Sequence, residues 1–278
     1  MAAATSIVAT IMGCGSSGGV PRIGGNWGAC DPADPRNRRR RCSLLIEGRT
    51  GDSAPTRVIV DTGCDLREQL LDARVDRVDA VLYTHEHADH THGIDDLRVL
   101  ALNTRKRVDV YFSREAAQRI VPSFSYCFTA PPGSGYPPIL NQNIIAAGQR
   151  LTVSGPGGDI EILPFRQDHG DIFSLGFRIG GFAYSCDLSG IPEESAAAVS
   201  GLDLWVLDAL RPAPHPSHLS LSEALAQVAR FRPREAILTN LHIDLDYAET
   251  DRITPAHVRP AYDGLQLDVT AGKVLSPR

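Results

Sequence analysis

The segment Thr84-His85-Glu86-His87-Ala88-Asp89-His90 follows directly on the apolar run Ala80-Val81-Leu82-Tyr83. Such a run is typical of a buried strand, so the segment is expected where that strand ends. Because side chains alternate along extended backbone, His85 and His87 should point to the same side. A turn after them would bring Asp89 and His90 to a second point nearby. The spacing therefore predicts two adjacent divalent metal ions, one on each pair of side chains.

Four side chains do not complete two coordination spheres, so further ligands are expected downstream, with imidazole and carboxylate as the usual groups. Three later segments each place such a residue after a predicted strand: Asp168-His169-Gly170, Tyr184-Ser185-Cys186-Asp187 and Thr239-Asn240-Leu241-His242. Taken singly, His169 or His242 would more often be a surface or hydrogen-bonded histidine. Taken together with the first motif, these segments favour a metal site.

The rest of the chain consists of short β-branched runs and helical patterns. Strands are predicted at 6–12, 43–46, 57–60, 80–83, 108–112, 160–163, 182–185, 236–239 and 265–269. Helices are predicted at 65–73, 94–102, 114–120, 192–199 and 220–231, the last opening with a Ser-x-x-Glu capping box. This order predicts an α/β fold with two sheets covered by helices. No Ser/Gly-rich or Pro-rich linker divides residues 1–278, so a single domain is expected.

Composition limits the class of protein. The chain has 28 Lys and Arg against 33 Asp and Glu, a net charge of −5, which argues against a polycationic nucleic-acid binder. Six cysteines are scattered without a Cys-x-x-Cys pair, as expected for reduced thiols in a cytoplasmic protein. No apolar stretch of 18 residues is present, and the first residues lack a secretory signal pattern, so no membrane association is expected.

The ligand pattern, together with Asp61-Thr62-Gly63 after the predicted strand 57–60, resembles the metallo-β-lactamase-fold hydrolases. This resemblance implies a four-layer αββα sandwich and a site for two divalent ions, zinc or manganese. The resemblance also implies that Asp61 is not itself a metal ligand but orients a ligand residue or its loop. The implied ligands are His85, His87 and His169 for one ion, Asp89, His90 and His242 for the other, and Asp187 as the bridge.

Three more segments resemble the phosphodiesterase branch of that family: Gly13 to Pro21, Asn37 to Ser43 and His90 to Arg98. Within this branch the chain is similar to the phosphoribosyl 1,2-cyclic phosphate phosphodiesterase-like proteins, and more distantly to the tRNA 3′-processing endonucleases. The founding phosphodiesterase of the group carries a Cys-rich structural zinc near its N-terminus. Here only Cys30 lies in that region, so no third metal is expected.

The resemblance implies a dinuclear metal-dependent phosphodiesterase. A metal-bound hydroxide would attack a small phosphodiester, cyclic and of ribose or nucleotide type, to give a phosphomonoester. Asp89 and His218 are the predicted catalytic residues, with His218 as the general acid, because the family places a histidine near the leaving group at about this point. His215 is a second candidate for that role. Arg38, in the basic run Arg36 to Arg41, is a candidate contact for substrate phosphate.

Other functions remain open at this stage. They are a thioester or lactone hydrolase like the glyoxalases, a tRNA 3′-processing endoribonuclease, and a non-enzymatic protein that binds a nucleotide. RNA is not favoured as a partner, because the net charge is negative and no long basic arm is present. A small phosphodiester or nucleotide-like substrate is the expected partner, and a homodimer is left open.

Overall fold

The structure is a computed structural model that describes residues 2–130 and 132–275. Its strands are β1 (Ser6–Gly13), β2 (Ser43–Arg49), β3 (Thr56–Val60), β4 (Ala80–Leu82), β5 (Val108–Phe112), β6 (Leu140–Ile144), β7 (Leu151–Val153), β8 (Ile160–His169), β9 (Ile172–Ile179), β10 (Phe182–Ser185), β11 (Leu204–Asp208), β12 (Glu235–Thr239), β13 (Val258–Pro260), β14 (Gln266–Asp268) and β15 (Lys273–Val274). The α-helices are α1 (Leu66–Asp72), α2 (Ala88–Thr91), α3 (Leu97–Thr104), α4 (Arg114–Ser123), α5 (Ser125–Phe128), α6 (Leu221–Phe231) and α7 (Tyr247–Ile253). Short 3-10 helices lie at Pro35–Asn37, Ile94–Asp96 and Glu193–Val199.

The strands form two sheets. One has the order β15-β14-β1-β2-β3-β4-β5-β6 and the other the order β13-β12-β11-β10-β9-β8-β7. Strands β3 to β6 run parallel to one another, and so do strands β10 to β13. Because parallel strands end at the same edge of a sheet, the loops that follow β3 and β4 lie side by side, and those that follow β10, β11 and β12 do likewise.

Apolar side chains fill three layers. The central layer lies between the sheets and includes Leu44, Val60, Phe177 and Val206. A second cluster packs α1, α3 and α4 on the outer face of the first sheet, and a third packs α6 and the 3-10 helix Glu193–Val199 on the second sheet. The four layers are therefore helix, sheet, sheet and helix, and the predicted αββα sandwich is confirmed.

Most predicted elements are present, with one correction and several omissions. The helix expected at 192–199 is a 3-10 helix, a winding common in short connecting segments. Among the strands that the sequence pattern missed, β9 is separated from β8 by only two residues, so the pattern does not divide the two strands. Strand β11 has the sequence Leu-Trp-Val-Leu-Asp, whose lack of alternation reflects burial on both faces.

Two glycines allow the loop after β3 to pack against the histidine-rich loop after β4. A Cβ atom on Gly63 would lie 2.2 Å from the carbonyl oxygen of Asp89. A Cβ atom on Gly93 would lie 2.2 Å from the carbonyl oxygen of Gly63. The amide of Thr62 donates to the carbonyl of His90, and the amide of Gly93 donates to that of Thr62. Only glycine fits at these two positions without moving the loop that carries Asp89 and His90.

None of the helices in the described ranges combines the length and the apolar character needed to cross a bilayer.

Candidate metal centre and catalytic pocket

The two sheets both contribute to one cluster of ligand-type side chains. The loop after β4 supplies His85 and His87, and the short helix α2 that follows it supplies His90. His169 is the last residue of β8, and Asp187 follows β10. Two sets of ligand atoms each lie within 4.8 Å of one another, and they share Asp187. The sets are His85, His87, His169 and Asp187, and His90, Cys186 and Asp187.

The first set faces inward through three ring nitrogens. His85 Nε2 lies 2.9 Å from His87 Nδ1, and His169 Nε2 lies 3.3 Å from the same atom. Asp187 Oδ2 lies 3.7 Å from His85 Nε2 and 3.8 Å from His169 Nε2. Three nitrogens and a carboxylate oxygen therefore surround one point, as the alternation of His85 and His87 predicted.

Hydrogen bonds on the far side of each ring fix which nitrogen faces the cluster. His169 Nδ1 lies 2.7 Å from the carbonyl oxygen of Ser217, which can only accept, so Nδ1 carries the hydrogen. Thr84 Oγ1 donates to Asp61 and therefore accepts from His85 Nδ1, at 2.9 Å. Burial lowers the pKa of both histidines, so both rings are neutral and present Nε2 lone pairs to the cluster. This donor set suits a divalent cation such as zinc.

Asp61 lies behind the cluster, where the resemblance placed it. Its buried carboxylate accepts from the Thr84 amide at 2.8 Å and from the Thr84 hydroxyl at 2.8 Å. It also accepts from His90 Nδ1 at 2.7 Å, which turns His90 Nε2 toward Asp187. Burial raises the pKa of Asp61, while these bonds oppose the rise. Asp61 thus orients a histidine without facing the pocket.

Asp187 is the shared centre of the cluster. Its Oδ2 atom lies 3.3 Å from His90 Nε2, and its Oδ1 accepts from Asn240 Nδ2 at 3.0 Å. Burial alone would raise the pKa of Asp187, but the imidazoles of His90 and His85 outweigh it and hold that pKa well below its ordinary value. A buried carboxylate that remains ionised and faces several imidazoles is suited to bridge two cations.

The three polar residues that follow β3, β10 and β12 share a left-handed backbone. Asp61, Asp187 and Asn240 have φ values of 62°, 55° and 61°. Asp and Asn tolerate this conformation better than other residues with a Cβ atom. The sharp turn directs each side chain back toward the cluster. The left-handed backbone therefore favours Asp or Asn at these three positions.

Sequence reasoning predicted His218 as the general acid but missed its carboxylate partner, Asp208. His218 Nδ1 lies 2.9 Å from Asp208 Oδ2, and His218 Nε2 lies 3.9 Å from Asp187 Oδ2. Burial raises the pKa of Asp208 to about 6. Burial also lowers the pKa of His218, but the bond to Asp208 and its charge outweigh this effect and leave that pKa above its ordinary value. The only sequence signal for Asp208 was its place at the end of an apolar run.

Three more predicted site residues, Asp89, His215 and His242, line the same pocket as His87 and His218. This pocket has a volume of about 350 Å³. Asp89 Oδ2 lies 3.5 Å from His90 Nε2. His242 is outside both sets of converging ligand atoms: its Nδ1 lies 2.9 Å from Asp244 Oδ2, and its Nε2 contacts Arg22. The His215 ring lies 5.0 Å from that of His218.

The basic run does not provide the arginines of the pocket. Arg38 is absent from the pocket lining, and Arg39 is buried, where it donates to the Leu245 carbonyl at 2.8 Å. Arg40 pairs with Asp263 and Arg41 with Asp65. These three arginines are held by carboxylates and carbonyls of distant segments, and the role of Arg38 stays a prediction. The lining includes two other arginines instead, Arg22 and Arg211.

Comparison with known proteins decides the family. Residues 56–243 match the β-lactamase superfamily domain. The chain belongs to the β-lactamase superfamily. As such it is a metal-dependent hydrolase, and the predicted family is confirmed.

Solved structures and one curated relative extend this result. A diphosphatase of the PhnP family is 31% identical, with a TM-score of 0.84 over 95% of this chain and 97% of that chain. Zinc-bound PqqB from Methylobacterium extorquens has the same fold, with a TM-score of 0.70 and 17% identity over 94% of this chain and 99% of that chain. An octanoyltransferase of Porphyromonas gingivalis is 32% identical over 92% of this chain and 50% of that protein. The chain thus spans about half the length of this curated relative.

Asp61→Asn is expected to weaken metal binding about 10- to 100-fold. This is the usual cost of losing the hydrogen-bond partner of a metal-binding residue. The amide would give His90 Nδ1 and Thr84 a weaker acceptor while keeping the shape of the side chain. Competition with a chromogenic chelator would measure the affinity. Asp52→Asn makes the same change on an exposed loop and should leave the affinity unchanged. Equal affinities in the two variants would contradict the role of Asp61.

Proposed function

We propose that the protein hydrolyses a small phosphodiester, of cyclic ribose or nucleotide type, to a phosphomonoester. The observation that carries this proposal is the Asp208–His218 dyad, whose outer nitrogen faces the same space as the metal cluster at 3.9 Å from Asp187. An imidazole with a carboxylate behind it and a pKa above the ordinary value can give a proton to a departing alkoxide. A phosphodiester needs such a group, because its leaving oxygen is strongly basic.

The residues of the cluster fit two divalent ions, zinc or manganese. His85, His87 and His169 would hold one, and His90 and Asp89 the other, with Asp187 shared between them. Divalent ions bound there would lower the pKa of water and neutralise phosphate oxygens. His242 would join His90 and Asp89 as a ligand of the second ion once its ring no longer contacts Arg22 and Asp244.

The shape and charge of the pocket support a small anionic substrate. A volume of about 350 Å³ lies in the range of small-molecule sites. Arg22 and Arg211 line it on the side of His215 and His242, and guanidinium groups bind phosphate oxygens in pairs. In a protein of net charge −5, these two cations offset the repulsion that an anionic substrate would meet. A cytoplasmic location agrees with the substrate class and belongs to the same proposal.

Hydrolysis of a diphosphate is a second candidate. It is favoured by the 31% identity to a protein named as a diphosphatase. Acyl transfer, as in the name of the octanoyltransferase, is less well supported. Leu210 is the one aliphatic side chain among the described residues that line the pocket, so a long acyl chain would find little apolar surface.

A substrate panel tests the proposal. Protein loaded with zinc or manganese would be given a nucleoside 2′,3′-cyclic phosphate, bis(p-nitrophenyl) phosphate, a dinucleoside diphosphate and an aryl thioester. We expect turnover of the cyclic and aryl diesters. Turnover of the diphosphate alone would favour the second candidate, and turnover of the thioester alone would refute both.

A further inference from the structure

A second cavity lies between β13 and β15, the strands at one edge of each sheet. Its volume is about 650 Å³, and it shares no lining residue with the catalytic pocket among the described residues. Glu235 opens β12 on the side of this cavity, whereas Asn240 follows the other end of β12 in the catalytic pocket. At about 3.3 Å per residue, the two ends of the strand are roughly 17 Å apart. We call this cavity the edge cleft.

The edge cleft concentrates positive charge. Four cations line it, against the single carboxylate of Glu235, so the lining alone carries a net charge of +3. The carboxylates of Asp34 and Asp203 approach two of these cations from outside the lining, which still leaves a net charge of +1. The whole protein has a net charge of −5, so an excess of cations in one cavity runs against its overall charge. The four cations are Arg36, Arg234, Arg259 and Lys273.

Two of the cations are fixed in place by the protein. Arg36 donates to Asp34 through Nε at 2.9 Å and Nη2 at 2.8 Å, and its guanidinium carbon lies 4.0 Å from the centre of the Tyr247 ring. Arg234 Nη2 donates to the carbonyl oxygen of Gly272 at 2.6 Å. A guanidinium group that is already held needs little further ordering to bind a ligand.

The other two cations have donors to spare. Arg259 Nη2 is only loosely paired with Glu235 at 3.4 Å, and its buried Nε has no hydrogen-bond partner among the described residues. A buried donor without an acceptor is destabilising, so an acceptor is expected there. Lys273 is exposed and forms no ion pair with any residue in the described ranges. The side chains of Arg259 on β13 and Lys273 on β15, both with an unused donor, therefore line one space.

We propose that the edge cleft binds the diphosphate group of a small ligand. Its volume lies within the usual range of small-molecule sites, about 300–1,000 Å³. A single carboxylate or phosphomonoester is too small to reach the donors of both walls, whereas a diphosphate has enough acceptor oxygens, and enough length, for both. Inorganic diphosphate and a nucleoside diphosphate share this chemistry. The proposal does not depend on which ester the catalytic pocket hydrolyses.

Titration calorimetry with ADP, inorganic diphosphate and adenosine would test the proposal. We expect ADP and diphosphate to bind and adenosine not to bind. Arg259→Gln combined with Lys273→Gln should weaken binding at least tenfold and leave hydrolysis of bis(p-nitrophenyl) phosphate unchanged. Lys106→Gln combined with Arg107→Gln removes the same charge from an exposed turn outside the edge cleft and is the matched control.

Hydrogen exchange would locate the ligand. The expected protection lies in β13 and in the segment from Gly272 to Leu275. Protection confined to the loops of the catalytic pocket, equal affinities in the two double variants, or binding of adenosine as strong as that of ADP would each overturn the proposal. Binding of ADP without inorganic diphosphate would assign the edge cleft to a nucleoside diphosphate, and binding of both would assign it to the diphosphate group itself. Lys273→Gln alone, at an exposed position, provides the same comparison if the double variant does not fold.

Discussion

Asp187→Asn is expected to reduce hydrolysis by at least about 10⁴-fold. Bound ions contribute several kcal/mol to catalysis of this kind, and each 1.36 kcal/mol is a factor of ten in rate. The Oδ2 atom of Asp187 lies 3.3 to 3.9 Å from nitrogens of four histidines. An amide at this position would remove the negative charge that the bound ions share. Metal content should fall together with the rate.

The substitution is suited to this test because asparagine can keep the local structure. It tolerates the left-handed backbone at this position, and its oxygen can still accept from Asn240. Asp168→Asn makes the same change at an exposed position next to His169 and should keep both metal and activity. Atomic emission and kcat/KM would be measured on both proteins. Full metal content and more than a tenth of the activity in the Asp187→Asn variant would refute the central role of Asp187.

His218→Ala is expected to slow hydrolysis about 10²- to 10⁴-fold for a substrate with an alkyl leaving group, the usual contribution of a general acid. A p-nitrophenyl ester should lose much less, because p-nitrophenolate departs without a proton. Metal content should not change, since the ring of His218 is bonded to Asp208 and lies outside the two sets of ligand atoms. The ratio of the two rates would separate proton donation from a loss of structure.

Two variants complete this experiment. Asp208→Asn should show the same dependence on the leaving group, because the ring would lose the carboxylate that supports its charged form. His215→Ala removes a ring 5.0 Å away that has no carboxylate behind it among the described residues, and it should behave like wild type. An equal loss of rate on both ester types in His218→Ala would exclude a general acid at this position.

Local patterns carried the prediction of the cluster. Alternation along extended backbone was enough to place His85 and His87 on one side, and ligand-type residues at the ends of predicted strands were enough to expect His169 and Asp187 nearby. Helix α6 was equally local: Ser220 and Glu223 form the predicted capping box, with bonds of 3.3 and 2.8 Å. Each of these features depends on residues within a few positions of one another.

The missed features depend on contacts between distant parts of the chain. Asp208 is ten residues before His218, at the end of a strand that the pattern did not reveal. In the basic run, the carboxylate that binds Arg40 is Asp263, more than 200 residues away. Arg22 was overlooked because a single arginine in a glycine-rich segment has no pattern of its own. No local signal specifies such pairings.

The ligand cluster also joins the two halves of the sandwich. Three of its histidines follow a strand of the first sheet, whereas His169 and Asp187 belong to the second. Ions bound there would act as non-covalent cross-links, so thermal stability should depend on the free metal concentration. At 100 times the dissociation constant, binding stabilises the native state by about 2.7 kcal/mol. For a chain of this size, treatment with a chelator should lower Tm by roughly 5 °C, and added metal should restore it.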